Sequence, residues 1–277
     1  MMTEDRRDMP WVTGSTQLFA TIAHPTDHVR APMVFNRLFA EQGLNRVMVP
    51  MDVPPAALEE VIAALRGMSN FRGMAVTIPH KMAIAALCDS LGPEARLTGA
   101  VNAVRFDADG SMHGDNFDGA GFVAGLRQQG HDPAGKDILM LGAGGAARAI
   151  ALALCTARVG RLRILNRTPH KAAAIVASLV DLGGHDQAEV AETHDGGGVD
   201  MIVNTTSLGL HEGDALPLTL DAVGAETVIA EIIMLPERTA WLAAAEARGL
   251  TTHYGRHMLD CQVDLIGNFI GALEGGL

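Results

Sequence analysis

Residues 138–147 read ILMLGAGGAA, an apolar run that breaks into glycine and alanine, and the reading of that break decides the fold. Gly142, Gly144 and Ala147 fall in G-x-G-x-x-A spacing directly after an apolar strand and at the start of a helix of small residues. Glycines in that spacing permit a tight turn and the close approach of a pyrophosphate, while the helix N-terminus supplies unpaired N–H groups and the positive end of a dipole. Glycine also punctuates ordinary strand-to-helix turns. What separates this stretch from such a turn is RLRIL, because Leu162 to Leu165 supplies the next strand where a βαβ nucleotide-binding unit requires one.

The end of that second strand bears on the cofactor. NAD sites usually place a carboxylate there for the ribose 2′-hydroxyl. Here Asn166, Arg167 and Thr168 offer a cation and small donors, with Lys171 one turn along. That set suits a 2′-phosphate and favours NADP over NAD. The other reading of Arg167 and Lys171 is two solvated charges.

Outward from the motif the alternation continues on both sides. Downstream come a helix in KAAAIVASLVDLGG, a strand in VDMIVNTTSLG, another in ETVIAEII, a helix in TAWLAAAEARG, and an amphipathic helix from His257 to Leu273 through Met258, Cys261, Leu265 and Phe269. GGHDQAEVAETHDGGG, residues 183–198, reads as a solvated loop. Upstream, LFATI (18–22) is a strand and APMVFNRLFAEQGL a helix spaced through Met33, Phe35, Leu38 and Phe39 and closed by Gly43. RVMVPMDV, ALEEVIAALRGM, GMAVTI and PHKMAIAALCDSLG then alternate strand and helix, the last begun by Pro79. VNAVRFDADGSMHGDN predicts a hairpin around Asp109-Gly110. The helix DGAGFVAGLRQQG follows, and a first unit ends near residue 117. The expected class is α/β.

At 277 residues the chain is long enough for two domains, and 48% hydrophobic with 19% charged residues provides core material for both. A formal charge of −11 repels phosphate backbones and anionic lipid, which argues against nucleic acid and membrane surfaces as partners. Cys88, Cys155 and Cys261 are odd in number, widely spaced and set among apolar neighbours, the pattern of buried reduced thiols. MMTEDRRDMPWVTGST has charges and no apolar leader core, and no run approaches a membrane span, so the expected compartment is the cytoplasm.

Three further stretches carry chemistry. VTIPHK places Thr77 at a strand end and Lys81 in the first turn of a helix, near the positive end of its dipole. That place is poor for a cation and suits an amine that takes a proton from an alcohol; an exposed lysine tolerating its position is the plainer reading. GAVNAV offers Asn102 at a strand start, and GDNFDG offers Asp115, Asn116 and Asp118 before a helix, where Asp118 could serve merely as a cap. His113, Asp115 and Asp118 match no calcium loop, and no metal is expected.

With VTIPHK, GAVN, GDNFDG, LGAGGAAR, NRT, NTTSLG and a final HMLDCQ in this order, the chain resembles the shikimate dehydrogenase family, which includes quinate/shikimate and aminoshikimate dehydrogenases. The resemblance covers nearly the whole chain. It implies an α/β substrate domain from residues 1–117 and 256–277, with the last helix returning to it, and a Rossmann-type NAD(P) domain over 118–255. By the resemblance, Lys81 and its partner Asp118 contact the hydroxyl being oxidised, and Thr77, Asn102 and Gln262 are ring-hydroxyl ligands. Gly142, Ala143, Gly144, Gly145 and Ala146 form the pyrophosphate loop, and Asn166, Arg167 and Thr168 with Lys171 form the adenosine-phosphate clamp. Thr205, Thr206, Ile232 and Gly255 line the nicotinamide side. The implied reaction is reversible hydride transfer between a cyclic alcohol and NADP, or NAD, by a monomer or homodimer.

The chain departs from this family at one loop and at three further positions. AHPTDHVRAP (23–32) carries Val29 and Ala31 where the family typically has two serines that bind the substrate carboxylate. Ala75 stands for a usual asparagine, Met234 for a usual tyrosine and Phe117 for a usual threonine. The substrate expected from these changes is less anionic than shikimate, or has its carboxylate held by Arg30 or His28. Two other readings compete. One is a cofactor-binding sensor without useful turnover. The other, a glutamyl-tRNA reductase type, lacks the early nucleophilic cysteine and has the wrong charge.

Overall fold

The computed structural model describes residues 12–27, 29–183 and 186–273. The chain divides into two compact units, Met1–Phe117 with Val263–Leu277, and Asp118–Gln262.

In the first unit β1 (Gln17–Ala23), α1 (Ala31–Glu41), β2 (Arg46–Asp52), α2 (Leu58–Arg66) and β3 (Phe71–Val76) alternate, followed by α3 (Lys81–Leu87), β4 (Ser90–Leu91), α4 (Pro93–Thr98), β5 (Ala103–Phe106) and β6 (Met112–Asp115). Six strands pair in the order β2-β1-β3-β5-β6-β4. The first three are parallel, whereas β5 runs antiparallel to both β3 and β6. β1 is the inner strand, buried from Phe19 to Ala23, as expected of a parallel strand covered on both faces. On one face α2 packs through Leu58, Ile62 and Leu65 with Phe71 and Phe106; on the other α1 packs through Phe35 and Phe39 with Ile266 and Ile270.

The second unit holds α5 (Asp118–Gln128), β7 (Asp137–Leu141), α6 (Gly145–Thr156), β8 (Arg161–Leu165), α7 (Pro169–Gly183), β9 (Ala188–Ala191), β10 (Met201–Asn204), β11 (Val228–Glu231), α8 (Ala240–Ala247) and β12 (Thr252–His253); α9 (Arg256–Phe269) begins here and ends in the first unit. Its sheet is parallel throughout, in the order β12-β11-β10-β7-β8-β9. The strand order reverses direction beside β7, and the C-terminal ends of strands at such a point are where ligands bind in open α/β sheets.

Several local expectations are corrected. Residues 78–80 form a turn, so Pro79 does not begin α3, which starts at Lys81. The helix expected to run to Gly92 stops at Leu87 because Ser90 and Leu91 pair with His113 and Gly114. Residues 183–198 are not all loop: Ala188–Ala191 pairs with Leu162–Leu165 as an edge strand, while residues 184–185 lie outside the described ones. Met33, placed on the apolar stripe of α1, is 67% exposed, and Pro32 takes the buried position beside Phe35 and Phe39. Cys155 is buried, but Cys88 and Cys261 are only half-buried; all three are free thiols. Burial pushes Cys88 up to about 11 and Cys155 up to about 12. Among the described residues no helix is long and apolar enough to cross a membrane.

Candidate functional site

In the first unit the topology collects three of the expected site residues at one end of the sheet. The backbone N–H of Thr77 donates to Ile22 O at 3.1 Å and that of Val76 to Asn102 O at 2.8 Å, which joins the ends of β1 and β3 to the start of β5. Lys81 is the first residue of α3, and its carbonyl accepts from Val101 N at 2.8 Å. Thr77, Lys81 and Asn102 are therefore held through neighbouring backbone. Asn102 is 3% exposed, and its Oδ1 accepts from Phe117 N at 2.9 Å. Phe117 packs against Phe269 with ring centroids 5.1 Å apart and planes tilted by 56°.

The loop after β1 returns to the same region, since His24 N donates to Ile78 O at 3.2 Å. Val29 is half-buried in it, Arg30 is exposed at the cap of α1 and the half-buried Ala31 is the first residue of that helix; His28 lies outside the described residues. Ala75 is buried in β3. Of the residues weighed as a cation cluster, His113 bonds Ser90 at 2.6 Å and Asp107 at 3.0 Å, whereas Asp115 accepts from Ala95 N and Asn116 N. They are spent on separate structural bonds.

In the second unit Asp118 opens α5, and its Oδ1 accepts from Gln262 Nε2 at 3.2 Å. The structure thus brings together two residues 144 positions apart. Gln262 is 6% exposed.

The glycine loop has the form a dinucleotide needs. Gly142 has φ +111°, a value L side chains rarely adopt, and a Cβ there would lie 2.6 Å from Thr205 Oγ1. Gly144 and Gly145 face open space, with nothing within 4 Å of where a Cβ would stand. Ala147, the third position of the motif, is fully buried in the first turn of α6. Beyond β8, Asn166 Nδ2 donates to Thr168 O at 2.9 Å and shapes the turn, while Arg167 and Lys171 are exposed. An exposed pair of cations with no acid at the strand end fits a phosphate-bearing ribose.

The opposite flank is one connected frame. Thr205 Oγ1 donates to Leu141 O at 2.7 Å. Thr206 donates through both N and Oγ1 to Asn204 Oδ1, at 3.0 and 2.7 Å. Asn204 in turn donates to Glu231, whose carboxylate accepts from Ile232 N and Ile233 N. A Cβ on Gly255 would stand 2.4 Å from Ile233 O, so only glycine admits this approach. Sequence reading placed Thr205, Thr206, Ile232 and Gly255 here but passed over Asn204 and Glu231. Their signal was a polar residue ending each of two apolar runs, MIVN and VIAE, which the parallel register sets side by side.

Comparison with known proteins follows the same lines. Residues 21–104 match the shikimate dehydrogenase substrate binding domain, and residues 126–194 match the shikimate / quinate 5-dehydrogenase family. The chain is 42% identical over 256 residues to the NADP(+) shikimate dehydrogenase of Rubrobacter xylanophilus, covering 91% of this chain and 89% of that one. Among solved structures it is similar to shikimate 5-dehydrogenase from Listeria monocytogenes in complex with shikimate and NAD, with 31% identity, TM-score 0.85 and coverage of 95% and 94%. It is also similar to the ligand-free 5-ketofructose reductase of a Gluconobacter strain, with 32% identity, TM-score 0.82 and 93% of each chain covered.

Proposed function

This chain belongs to the shikimate dehydrogenase family, and from that premise we propose that it is an NADP-linked dehydrogenase of a cyclic or polyhydroxylated alcohol whose substrate loop does not anchor a carboxylate in the usual way. The first unit, Met1–Phe117 with Val263–Leu277, holds the alcohol, and the second, Asp118–Gln262, holds the nucleotide and supplies Asp118 and Gln262 to the alcohol. Gly142 to Ala146 take the pyrophosphate, Asn166, Arg167, Thr168 and Lys171 the 2′-phosphate, and Thr205, Thr206, Ile232 and Gly255 the nicotinamide side. When bound, NADP supplies the hydride acceptor.

The residues of the chain manage the rest. Lys81 takes the hydroxyl proton as the carbinol is oxidised and returns it in the reverse direction, and Asp118 orients that hydroxyl. Gln262, positioned by its bond to Asp118, is a ring-hydroxyl ligand of the second unit, and Thr77 and Asn102 are ring-hydroxyl ligands of the first.

The observation that carries the substrate reading is the entry to α1, where Val29 at the end of the loop and Ala31 at the start of the helix present aliphatic groups on either side of an exposed Arg30. Hydrogen bonds to a charged group contribute about 1.5–3 kcal/mol each, so two missing hydroxyls weaken shikimate binding by roughly 10²–10⁴. Buried Ala75 and half-buried Met234 add no polar group. The similarity to a 5-ketofructose reductase supports the same direction, since a keto sugar has no carboxylate. The test is the double variant Val29→Ser, Ala31→Ser. Its kcat/KM for shikimate should rise by at least about tenfold; an unchanged value would show that the loop does not set the preference.

A further inference from the structure

A fully buried carboxylate that takes no part in the proton and hydride transfers lies beside the Thr206 and Ile232 frame. Glu231 ends β11 at 0% exposure, and the parallel register sets it beside Asn204 at the end of β10. Its Oε1 accepts from Ile232 N at 2.9 Å, Ile233 N at 3.1 Å and Asn204 Nδ2 at 3.1 Å. Its Oε2 accepts from Asn204 Nδ2 at 3.0 Å and Thr239 Oγ1 at 3.3 Å. Among the described residues each of these partners is a donor, a set that holds a carboxylate in its ionised form. Burial opposes that charge and pushes the pKa up, so the donors are what make the anion tenable there.

The bonds radiate to two strand exits rather than to the middle of the core. Asn204 passes the constraint on, accepting from Thr206 N and Oγ1 and donating to Leu208 O at 3.0 Å. Thr206 Oγ1 also accepts from Leu208 N at 3.1 Å, which closes the 204–208 turn. On the other side Gly255 packs against the Ile232–Ile233 backbone that Glu231 holds. One buried carboxylate therefore ties down two of the four positions assigned to the nicotinamide side, Thr206 and Ile232, and the backbone against which a third, Gly255, packs. Thr205, the fourth, is fixed separately by Leu141.

We propose that Glu231 is a positioning residue for hydride transfer, acting through Asn204 and the backbone of Ile232 and Ile233 to hold the surface against which the nicotinamide lies. The inference rests on the nucleotide reading above. Glu231→Gln keeps the volume but turns an amide NH₂ toward groups that already donate. With the substrate found active, kcat should fall about 10- to 100-fold, the scale expected when reacting groups are misplaced by about an ångström. The Kd of adenosine 2′,5′-bisphosphate, which carries the 2′-phosphate but no nicotinamide, should stay within about twofold, because Arg167 and Lys171 are untouched. Retained fragment binding also shows that the variant is folded. Thr206→Val should lower kcat in the same way by cutting the outer link, and Thr206→Ser should restore it. If Glu231→Gln fails to fold, the Thr206 pair decides. Wild-type kcat in a folded Glu231→Gln, or in Thr206→Val, overturns the inference alone. Failure of the wild-type protein to bind the fragment overturns the nucleotide reading and the inference with it.

Discussion

Lys81 is the residue on which enzyme and sensor part. It begins α3 and is fixed through its carbonyl to the N–H of Val101, the neighbour of Asn102. Proton transfer by a positioned side chain contributes roughly 10²–10⁴ in rate, so Lys81→Ala should lower kcat by at least about 10². The affinity for NADPH, measured by fluorescence titration, should hardly move. A sensor would bind the cofactor and show no rate for the variant to lose. Lys81 could be picked out from sequence because its signal is local, a cation in the first turn of a helix after VTIP. Glu231 could not. Its partner Asn204 is 27 positions away, and only the pairing of β10 with β11 makes them neighbours.

At the scale of elements, the loop from β7 to α6 is the most constrained. A side chain at Gly142 meets both an unfavourable φ of +111° and Thr205 at 2.6 Å. Gly142→Ala should therefore destabilise the chain by about 2–4 kcal/mol and weaken NADPH binding. Thermal denaturation and the same fluorescence titration check both, and a variant that melts with the wild type would remove the argument for close approach. The alternation of apolar strand and amphipathic helix was legible because each segment carries its own period. What escaped was set by pairing across the sheet. AEVA is four residues among glycine, histidine and aspartate, and becomes a strand only by lying against Leu162–Leu165. The break after α3 likewise exists because Ser90 and Leu91 have β6 to pair with. An apolar residue at helical spacing need not be core either, as Met33 shows.

Over the whole molecule, the stability has a pH dependence that one buried histidine helps to set. His253 is 1% exposed, its two ring nitrogens have no hydrogen-bond partner among the described residues, and its ring packs near Phe122, His131 and His257. Burial, with His257 and His131 adding to it, pushes its pKa down from 6.5 to about 3. The unfolded chain therefore binds a proton below about pH 6.5 that the folded chain refuses until about pH 3. Stability from this group is complete above about pH 6.5 and falls as the pH drops, with a slope approaching about 1.4 kcal/mol per unit. Urea unfolding of wild type and His253→Leu should diverge on that acid side, the variant showing the shallower loss. Parallel curves would mean that His253 is paired in solution.

The central claim, a dehydrogenase of this family with a changed substrate preference, is tested most directly by one kinetic comparison. Purified protein is assayed by the absorbance of the reduced nicotinamide, with NADP and then NAD against shikimate, quinate, aminoshikimate and carboxylate-free cyclic diols, and with NADPH and then NADH against keto sugars. The account predicts turnover with the phosphorylated cofactor, NADP for alcohols and NADPH for ketones, and a higher kcat/KM for a carboxylate-free alcohol or ketone than for shikimate. Shikimate as the best substrate would contradict the reading of Val29 and Ala31, and cofactor binding without turnover of any of them would contradict the dehydrogenase itself.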